Sequence, residues 1–209
     1  MYLSRIKLDT SRTETMRALA SPSVFHGAIE SADDERTRKL WRLDTLHGDQ
    51  ILLILSENKI DLTSVAEQFG YDGSFESKIY DGLLERITTG SRWHFRLRAN
   101  PTIQKYDEKK GRGKVLAHIT TEHQGEWLKK QAEKNGFSLN DGEWLVTGSR
   151  WYIFRKNRNN RDQVKMLAAT YEGVLTVTDT EAFRTALVKG IGREKAYGMG
   201  MLTIMGVTK

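Results

Sequence analysis

The chain contains no cysteine. That absence removes disulfides, thiolate metal sites and cysteine nucleophiles together, and it agrees with a reducing, cytoplasmic setting. Only two prolines occur in 209 residues, so no proline-rich linker divides the chain. No apolar run approaches the length of about 20 residues that a membrane-spanning helix needs. The opening Met1-Tyr2-Leu3-Ser4-Arg5 alternates like a strand and lacks the apolar core of a signal peptide, so no membrane association is expected. Acidic residues are outnumbered, 27 Asp and Glu against 33 Lys and Arg, for a formal net charge of +6. With a pI near 9.4 and a mean hydropathy of −0.55, the composition describes a soluble globule that favours an anionic partner. No Ser-His-Asp order, nucleophile elbow or paired-carboxylate motif is recognisable. His118 and His123 flank a strand-to-helix turn without a third ligand, and no metal site is expected.

What the chain does have is concentrated near its C-terminus. Gly190-Ile191-Gly192-Arg193-Glu194-Lys195-Ala196-Tyr197-Gly198-Met199-Gly200 threads four glycines with two cations and a tyrosine after a short amphipathic helix. Glycine can take positive φ and turn backbone N–H groups toward a phosphate, while Arg193 and Lys195 supply charge. The spacing is neither a dinucleotide fingerprint, whose third glycine would stand at Lys195, nor a Walker A loop, which would end in Gly-Lys-Ser/Thr. A packing explanation competes with the phosphate one: Gly190 reads as a helix-terminating residue, and Gly198 and Gly200 would let a following strand approach its neighbours closely.

Two small domains of about 100 residues each fit the length. Tyr2, Ile6 and Leu8 mark a first strand. A helix over Met16–Ala20 follows, then Ser21-Pro22 as N-cap and first helical residue of a second helix with Val24, Phe25, Ala28, Ile29 and Ala32 on one face. Leu40–Leu43 and Ile51–Leu55 read as strands joined through His47-Gly48-Asp49, and Asp61–Phe69 as a helix before a further strand. The second half repeats the theme. Thr121 and Gln124 form a capping box for a helix closed by Gly136, strands are expected at Glu143–Val146, Trp151–Phe154 and Met166–Val177, and a helix from Thr180 leads through the glycine segment into a strand at Met201–Val207. This order predicts an α+β protein of two tandem ferredoxin-like (RRM-like, βαββαβ) domains, 1–90 and 91–209, with a C-terminal glycine-rich loop.

Three basic segments stand out. In Trp93–Arg98 the alternation sends Trp93, Phe95 and Leu97 to one sheet face and His94, Arg96 and Arg98 to the other. That second face is either a solvated surface or a phosphate-binding one. Arg155, Lys156, Arg158 and Arg161 crowd a hairpin tip among asparagines, a composition suited to nucleic acid and equally to a solvated loop. Lys105 to Lys114 reads only as flexible and basic. Among five histidines, His26 lies on the helix after Pro22, beside the cations Arg36, Arg38, Lys39 and Arg42, where an imidazole can serve as a general acid or base. A lone helical histidine is also a common packing residue.

The segments Met1–Ser4, Ser21-Pro22-Ser23-Val24-Phe25-His26, Phe95-Arg96-Leu97-Arg98-Ala99-Asn100-Pro101, Tyr171-Glu172-Gly173-Val174-Leu175 and the glycine loop occur in the same order as in the CasE family, and the chain resembles that family over essentially its whole length. The resemblance implies a metal-independent, cofactor-free endoribonuclease of the CRISPR Cascade complex, bound to the hairpin of the CRISPR repeat RNA and partnered by other Cascade subunits. It implies cleavage at the 3′ base of the stem by 2′-OH attack, leaving a 2′,3′-cyclic phosphate and a 5′-hydroxyl, with the crRNA product retained. His26 matches the family's catalytic histidine. Some members carry a tyrosine where this chain has Ser23, which leaves Ser23, Arg38 and Lys39 as candidates for a second contributor. By the same resemblance Arg96, Arg98, Arg155, Lys156, Arg158 and Arg161, with Gly190, Gly192, Lys195, Gly198 and Gly200, would meet the RNA. A non-catalytic RNA-binding subunit would present the same basic faces, and His26 separates the two readings. A nucleotide-binding enzyme is disfavoured by the grammar of the glycine loop.

Overall fold

A computed structural model describes residues 1–35, 37–107, 111–155 and 163–207. Alternation builds the first strand, β1 (Tyr2–Leu8): Ser4, Ile6 and Leu8 turn inward while Arg5 and Lys7 stay exposed. Helices α1 (Thr13–Ala20) and α2 (Ser23–Ser31) follow, broken as expected at Ser21-Pro22. Pro22 is itself the N-cap of α2 (φ −55°, ψ −20°), one place later than the capping pattern predicts, and the Ser21 hydroxyl lies 3.1 Å from that of Ser23 without capping an amide. The proline ring disfavours helical backbone at Ser21, which ends α1 and re-aims the chain.

Strands β2 (Lys39–Leu46) and β3 (Asp49–Ser56) form the expected hairpin, with His47 and Gly48 both at positive φ as a tight turn of this hand requires. Helix α3 (Thr63–Phe69) and strand β4 (Gly70–Ile79) complete an antiparallel sheet of order β2-β3-β1-β4. Phe25 and Ile29 of α2 are fully buried in the core beside it, with the Phe25 ring 5.8 Å from Trp41 and 5.0 Å from Phe69. Each such side chain contributes roughly 1.5–3 kcal/mol of hydrophobic burial.

After the short α4 (Asp81–Glu85), β5 (Arg92–Ala99) opens the second half. Then come a two-stranded hairpin of β6 (Thr102–Asp107) and β7 (Arg112–Ala117), helix α5 (Thr121–Lys134), β8 (Phe137–Ser138), β9 (Trp144–Arg155), β10 (Gln163–Val177), α6 (Thr180–Lys189) and β11 (Leu202–Gly206). The second sheet has the order β11-β5-β10-β8, with β9 also along β10. In both sheets the first strand of its half lies between the last strand and the second strand of the central hairpin.

Three expectations are corrected. Glu143–Val146 and Trp151–Phe154 do not form separate strands: Trp144 to Arg155 is one strand, β9, which pairs along β10 with a register shift between Thr170 and Tyr171. The N-cap of α5 is Thr120, whose hydroxyl accepts the His123 N–H, so the box at Thr121 and Gln124 does not form. The Gln124 amide instead donates to the carbonyls of His118 and Ile119 and to the Ser149 hydroxyl. Where the sequence suggests only a flexible basic stretch at Lys105–Lys114, its flanking described residues pair as a regular antiparallel hairpin, while residues 108–110 lie outside the described residues.

The sheets are joined through Arg42, whose side chain is 1% exposed. Its guanidinium donates to both Asp44 carboxylate oxygens at 2.8 and 2.6 Å, to the carbonyls of Arg96 and Met201 at 2.8 and 2.9 Å, and to the Thr203 hydroxyl at 2.8 Å. A buried charge is tolerable only when its donors are satisfied in this way. Leu40, Leu55, Tyr80 and Met201 form a small apolar cluster across the same junction. Replacement of Arg42 by Met removes the closest partner of the largely enclosed Asp44 and is expected to cost about 3–5 kcal/mol. Denaturant midpoints of Arg42→Met, Asp44→Leu and the double variant check this, the double variant being more stable than the sum of the single effects.

Candidate functional site

His26 lies on α2 next to the fully buried Phe25, so the helix face that anchors into the first core also fixes the imidazole at its rim, 38% exposed. Its Nδ1 is 3.9 Å from Glu30 Oε1, one turn along the helix. Ser23, three residues earlier and half-buried, shares that flank of α2.

Lys39 does not. Its side chain is 0% exposed, with Nζ 2.8 Å from Asp33, 3.7 Å from Glu30 and donating to the Thr37 carbonyl at 3.0 Å. As a catalytic candidate it is therefore corrected: it has no face toward a substrate, and it ties the end of α2 to the start of β2. The Lys39 ammonium and the Thr37 hydroxyl hold the Asp33 pKa down to about 2. Arg38, beside it, is exposed.

The glycine loop delivers a single 3₁₀ turn, Lys195–Tyr197, against α2 and β2. The glycines answer first to packing. A Cβ on Gly198 would stand 2.7 Å from the Trp41 ring, one on Gly192 3.1 Å from Trp127, and one on Gly190 2.9 Å from both Leu40 and the Gly200 carbonyl. The N–H groups of Gly190, Gly198 and Gly200 donate to the carbonyls of Ala186, Lys195 and Arg98. The expectation that these amides turn toward a phosphate is thus corrected at those three positions, because internal carbonyls already take them. Lys195 Nζ donates to the Gly192 carbonyl at 2.6 Å. Burial, then the nearby Arg38 charge, lowers its pKa from the ordinary lysine value.

Arg96 and Arg98 are also drawn inward. The alternation along β5 is as expected, but its charged face looks toward the first sheet. Arg96 pairs with Glu172 and lies 3.7 Å from Asp44, lining a cleft of about 510 Å³ between the sheets. Arg98 donates to the Tyr152 hydroxyl and the Leu43 carbonyl and sits 5.3 Å from the Tyr152 ring centre, while its buried Nε has no partner among the described residues. Arg155 ends β9 and is exposed; Lys156, Arg158 and Arg161 lie outside the described residues.

Sequence reasoning missed Arg150. It is exposed, its guanidinium lies 4.8 Å from the centre of the Tyr152 ring that Arg98 also contacts, and its strand runs toward Arg155. The alternation Arg150, Tyr152, Phe154 was the available signal, obscured by reading β9 as two strands. Among the described residues, no helix is long and apolar enough to cross a membrane.

The fold and the site define a two-sheet α+β protein with antiparallel sheets and a cationic, histidine-bearing rim where α2 meets a glycine-closed loop. The chain belongs to the family described as CRISPR associated protein, whose model matches residues 1–205. It is similar to the CRISPR-associated endoribonuclease Cse3 of Thermus thermophilus, with 29% identity over 218 residues covering 98% of this chain and 99% of that protein. Its fold matches a solved structure of the CRISPR endoribonuclease Cse3 bound to 19 nt RNA, with a TM-score of 0.81, 26% identity, and coverage of 98% of this chain and 100% of the other. A structure of Thermus thermophilus Cse3 bound to an RNA representing a pre-cleavage complex matches with a TM-score of 0.78 and 25% identity, covering 98% of each chain.

Two outcomes follow from the packing. Gly198→Ala combines a positive φ of 76° with the Trp41 contact, and is expected to lower stability by about 1–3 kcal/mol. Gly27→Ala on α2 meets nothing within 4 Å and is expected to raise it by about 0.5–1 kcal/mol; thermal unfolding of both checks the contrast. Because the Asp33 pKa is depressed, the stability it contributes is present above the unfolded value of 3.8 and is lost as pH falls toward about 2. Unfolding of the wild type against Asp33→Asn across that window should show the difference shrinking with acidity.

Proposed function

We propose that this protein is a metal-independent endoribonuclease that binds the hairpin of CRISPR repeat RNA, cuts the precursor at the 3′ base of the stem and retains the crRNA for other subunits of the cytoplasmic Cascade complex. The architecture it uses is a pair of tandem ferredoxin-like domains, 1–90 and 91–209. The matching strand orders of the two sheets support that division. The observation that carries the function is the position of His26: half-exposed on a helix anchored by Phe25 and Ile29, with the glycine loop's 3₁₀ turn packed against the same helix. Endoribonuclease relatives of nearly full-length coverage support the same reading.

In the proposed reaction the His26 imidazole takes the proton of the ribose 2′-hydroxyl as its oxygen forms a bond to the adjacent phosphorus. The bond from phosphorus to the 5′-oxygen breaks, that oxygen takes a proton from water while the imidazolium returns its proton to solvent, and the products are a 2′,3′-cyclic phosphate and a 5′-hydroxyl. Positioning the 2′-oxygen in line with the leaving oxygen supplies much of the acceleration, and cations stabilise the charge on the pentacoordinate phosphorus. Arg38 is the exposed cation beside this site, and Ser23 the nearby hydroxyl. Lys39 acts from behind, holding Asp33 and Glu30. Arg155, with Lys156, Arg158 and Arg161 of the same stretch of sequence, would engage the stem, while Gly192 and Lys195 with the rest of the glycine loop shape the surface beneath the RNA backbone.

Cleavage of a labelled repeat hairpin in EDTA tests the proposal. His26→Ala is expected to cut about 10²–10⁴-fold more slowly while binding with the wild-type affinity. Undiminished cutting by the variant would reject His26, and binding without cutting by the wild type would favour the non-catalytic RNA-binding subunit.

A further inference from the structure

The β6–β7 hairpin belongs to neither large sheet, and its charge pattern is not explained by packing. In its register Lys105 stands directly opposite Lys114. Directly opposed residues of an antiparallel pair project to the same face with their Cβ atoms about 4.5–5.5 Å apart, and like charges so placed destabilise the pair. A two-stranded ribbon is itself marginal in water, so this repulsion falls where the fold can least absorb it. Arg112, two residues from Lys114 along the strand, projects to that same face and adds a third cation there.

The surroundings add positive charge. Lys130 on α5 and Lys105 both act on His118 at the foot of the hairpin: burial, then His123, Lys130 and Lys105, lower its pKa. The His118 and His123 ring centres are 5.7 Å apart. Lys129, next to Lys130, is neutralised by Asp141 at 3.1 Å, whereas among the described residues Lys105, Lys114 and Lys130 form no ion pair.

The hairpin is also rooted beside the site already described. At its entry Asn100 bridges to Arg193 of the glycine loop. At its exit the His118 N–H donates to the Pro101 carbonyl at 2.9 Å, and the Gln124 amide clamps His118, Ile119 and Ser149, the residue before Arg150 on β9. The basic ribbon therefore springs from between the glycine loop and the cationic strand.

We infer that the β6–β7 hairpin is a second phosphate-binding arm, in which Lys105 and Lys114 grip the backbone of the same RNA held by the glycine loop and β9. This inference rests on the RNA-binding reading proposed above. The phosphodiester oxygens neutralise the opposed lysines and relieve their repulsion, so binding and ordering of the ribbon reinforce each other.

Binding of the labelled repeat RNA to the full chain should be measured over a salt series for the wild type, Lys105→Gln/Lys114→Gln and Lys114→Glu. Each lost phosphate contact makes the slope of log affinity against log salt shallower by about 0.7–0.9. The double glutamine variant is expected to lose about 1.4–1.8 from the slope. Lys114→Glu replaces repulsion by a cross-strand attraction, so it should unfold at a higher temperature and yet bind RNA more weakly. A wild-type slope and affinity in both variants would overturn the arm, a gain in thermal stability without loss of binding included. Failure of the wild type itself to bind would instead overturn the RNA reading on which the arm depends.

Discussion

The satisfied guanidinium of Arg42 is the interaction on which the rest of the arrangement depends. It leaves the first sheet from β2, is neutralised by Asp44 on the same strand, and directs its remaining donors to two backbone carbonyls and a hydroxyl of the second half. Because the acceptors at Arg96 and Met201 are backbone atoms of β5 and of the approach to β11, the interaction fixes strands and not merely side chains. Removing the guanidinium would strand a carboxylate and three acceptors in a region that water reaches poorly, which is why geometry here is specified tightly.

The glycine loop acts on the same junction from the other side. Its four glycines let backbone come against Leu40, Trp41, Trp127 and Ile191, contacts that any Cβ would push apart. Leu40 and Trp41 sit on β2 immediately before Arg42. The loop thus brings the 3₁₀ turn to α2 by packing, and the phosphate-facing chemistry attributed to such loops would be carried by the surface the packing creates. Glu194, a non-glycine residue at φ 61°, shows how tightly the turn is wound.

The cations divide into two populations. Lys39, Arg42, Arg96, Arg98 and Lys195 are committed to carboxylates, carbonyls or a phenol, and most of them hold the halves of the molecule in register. Arg38, Lys105, Lys114, Arg150 and Arg155 are exposed, around the rim of α2 and on the hairpins of the second half. Net charge counts both populations equally, yet among these described cations the second is the one whose charge is not already spent on internal partners.

Much of this was legible along the chain. Period-two alternation in β1 and β5, the proline break between α1 and α2, and the Gly-containing turn between β2 and β3 are local effects of sterics and burial, and each is found where the sequence places it. The amphipathic spacing around Phe25 and Ile29 likewise put His26 at the edge of a buried face. The fate of Lys39, Arg96 and Arg98 could not be read, because whether a charged face meets solvent or another sheet depends on partners far along the chain. The same holds for Gln124, which looked like a cap and is a clamp between a hairpin and β9, and for the glycines, whose freedom is a property of the residue but whose use is decided by what packs against them. Local composition determined the elements and the reserve of positive charge; only the closing of two sheets on Arg42 decided which charges are held inside and which remain to meet an anion, since that choice is made by long-range burial and not by neighbours in sequence.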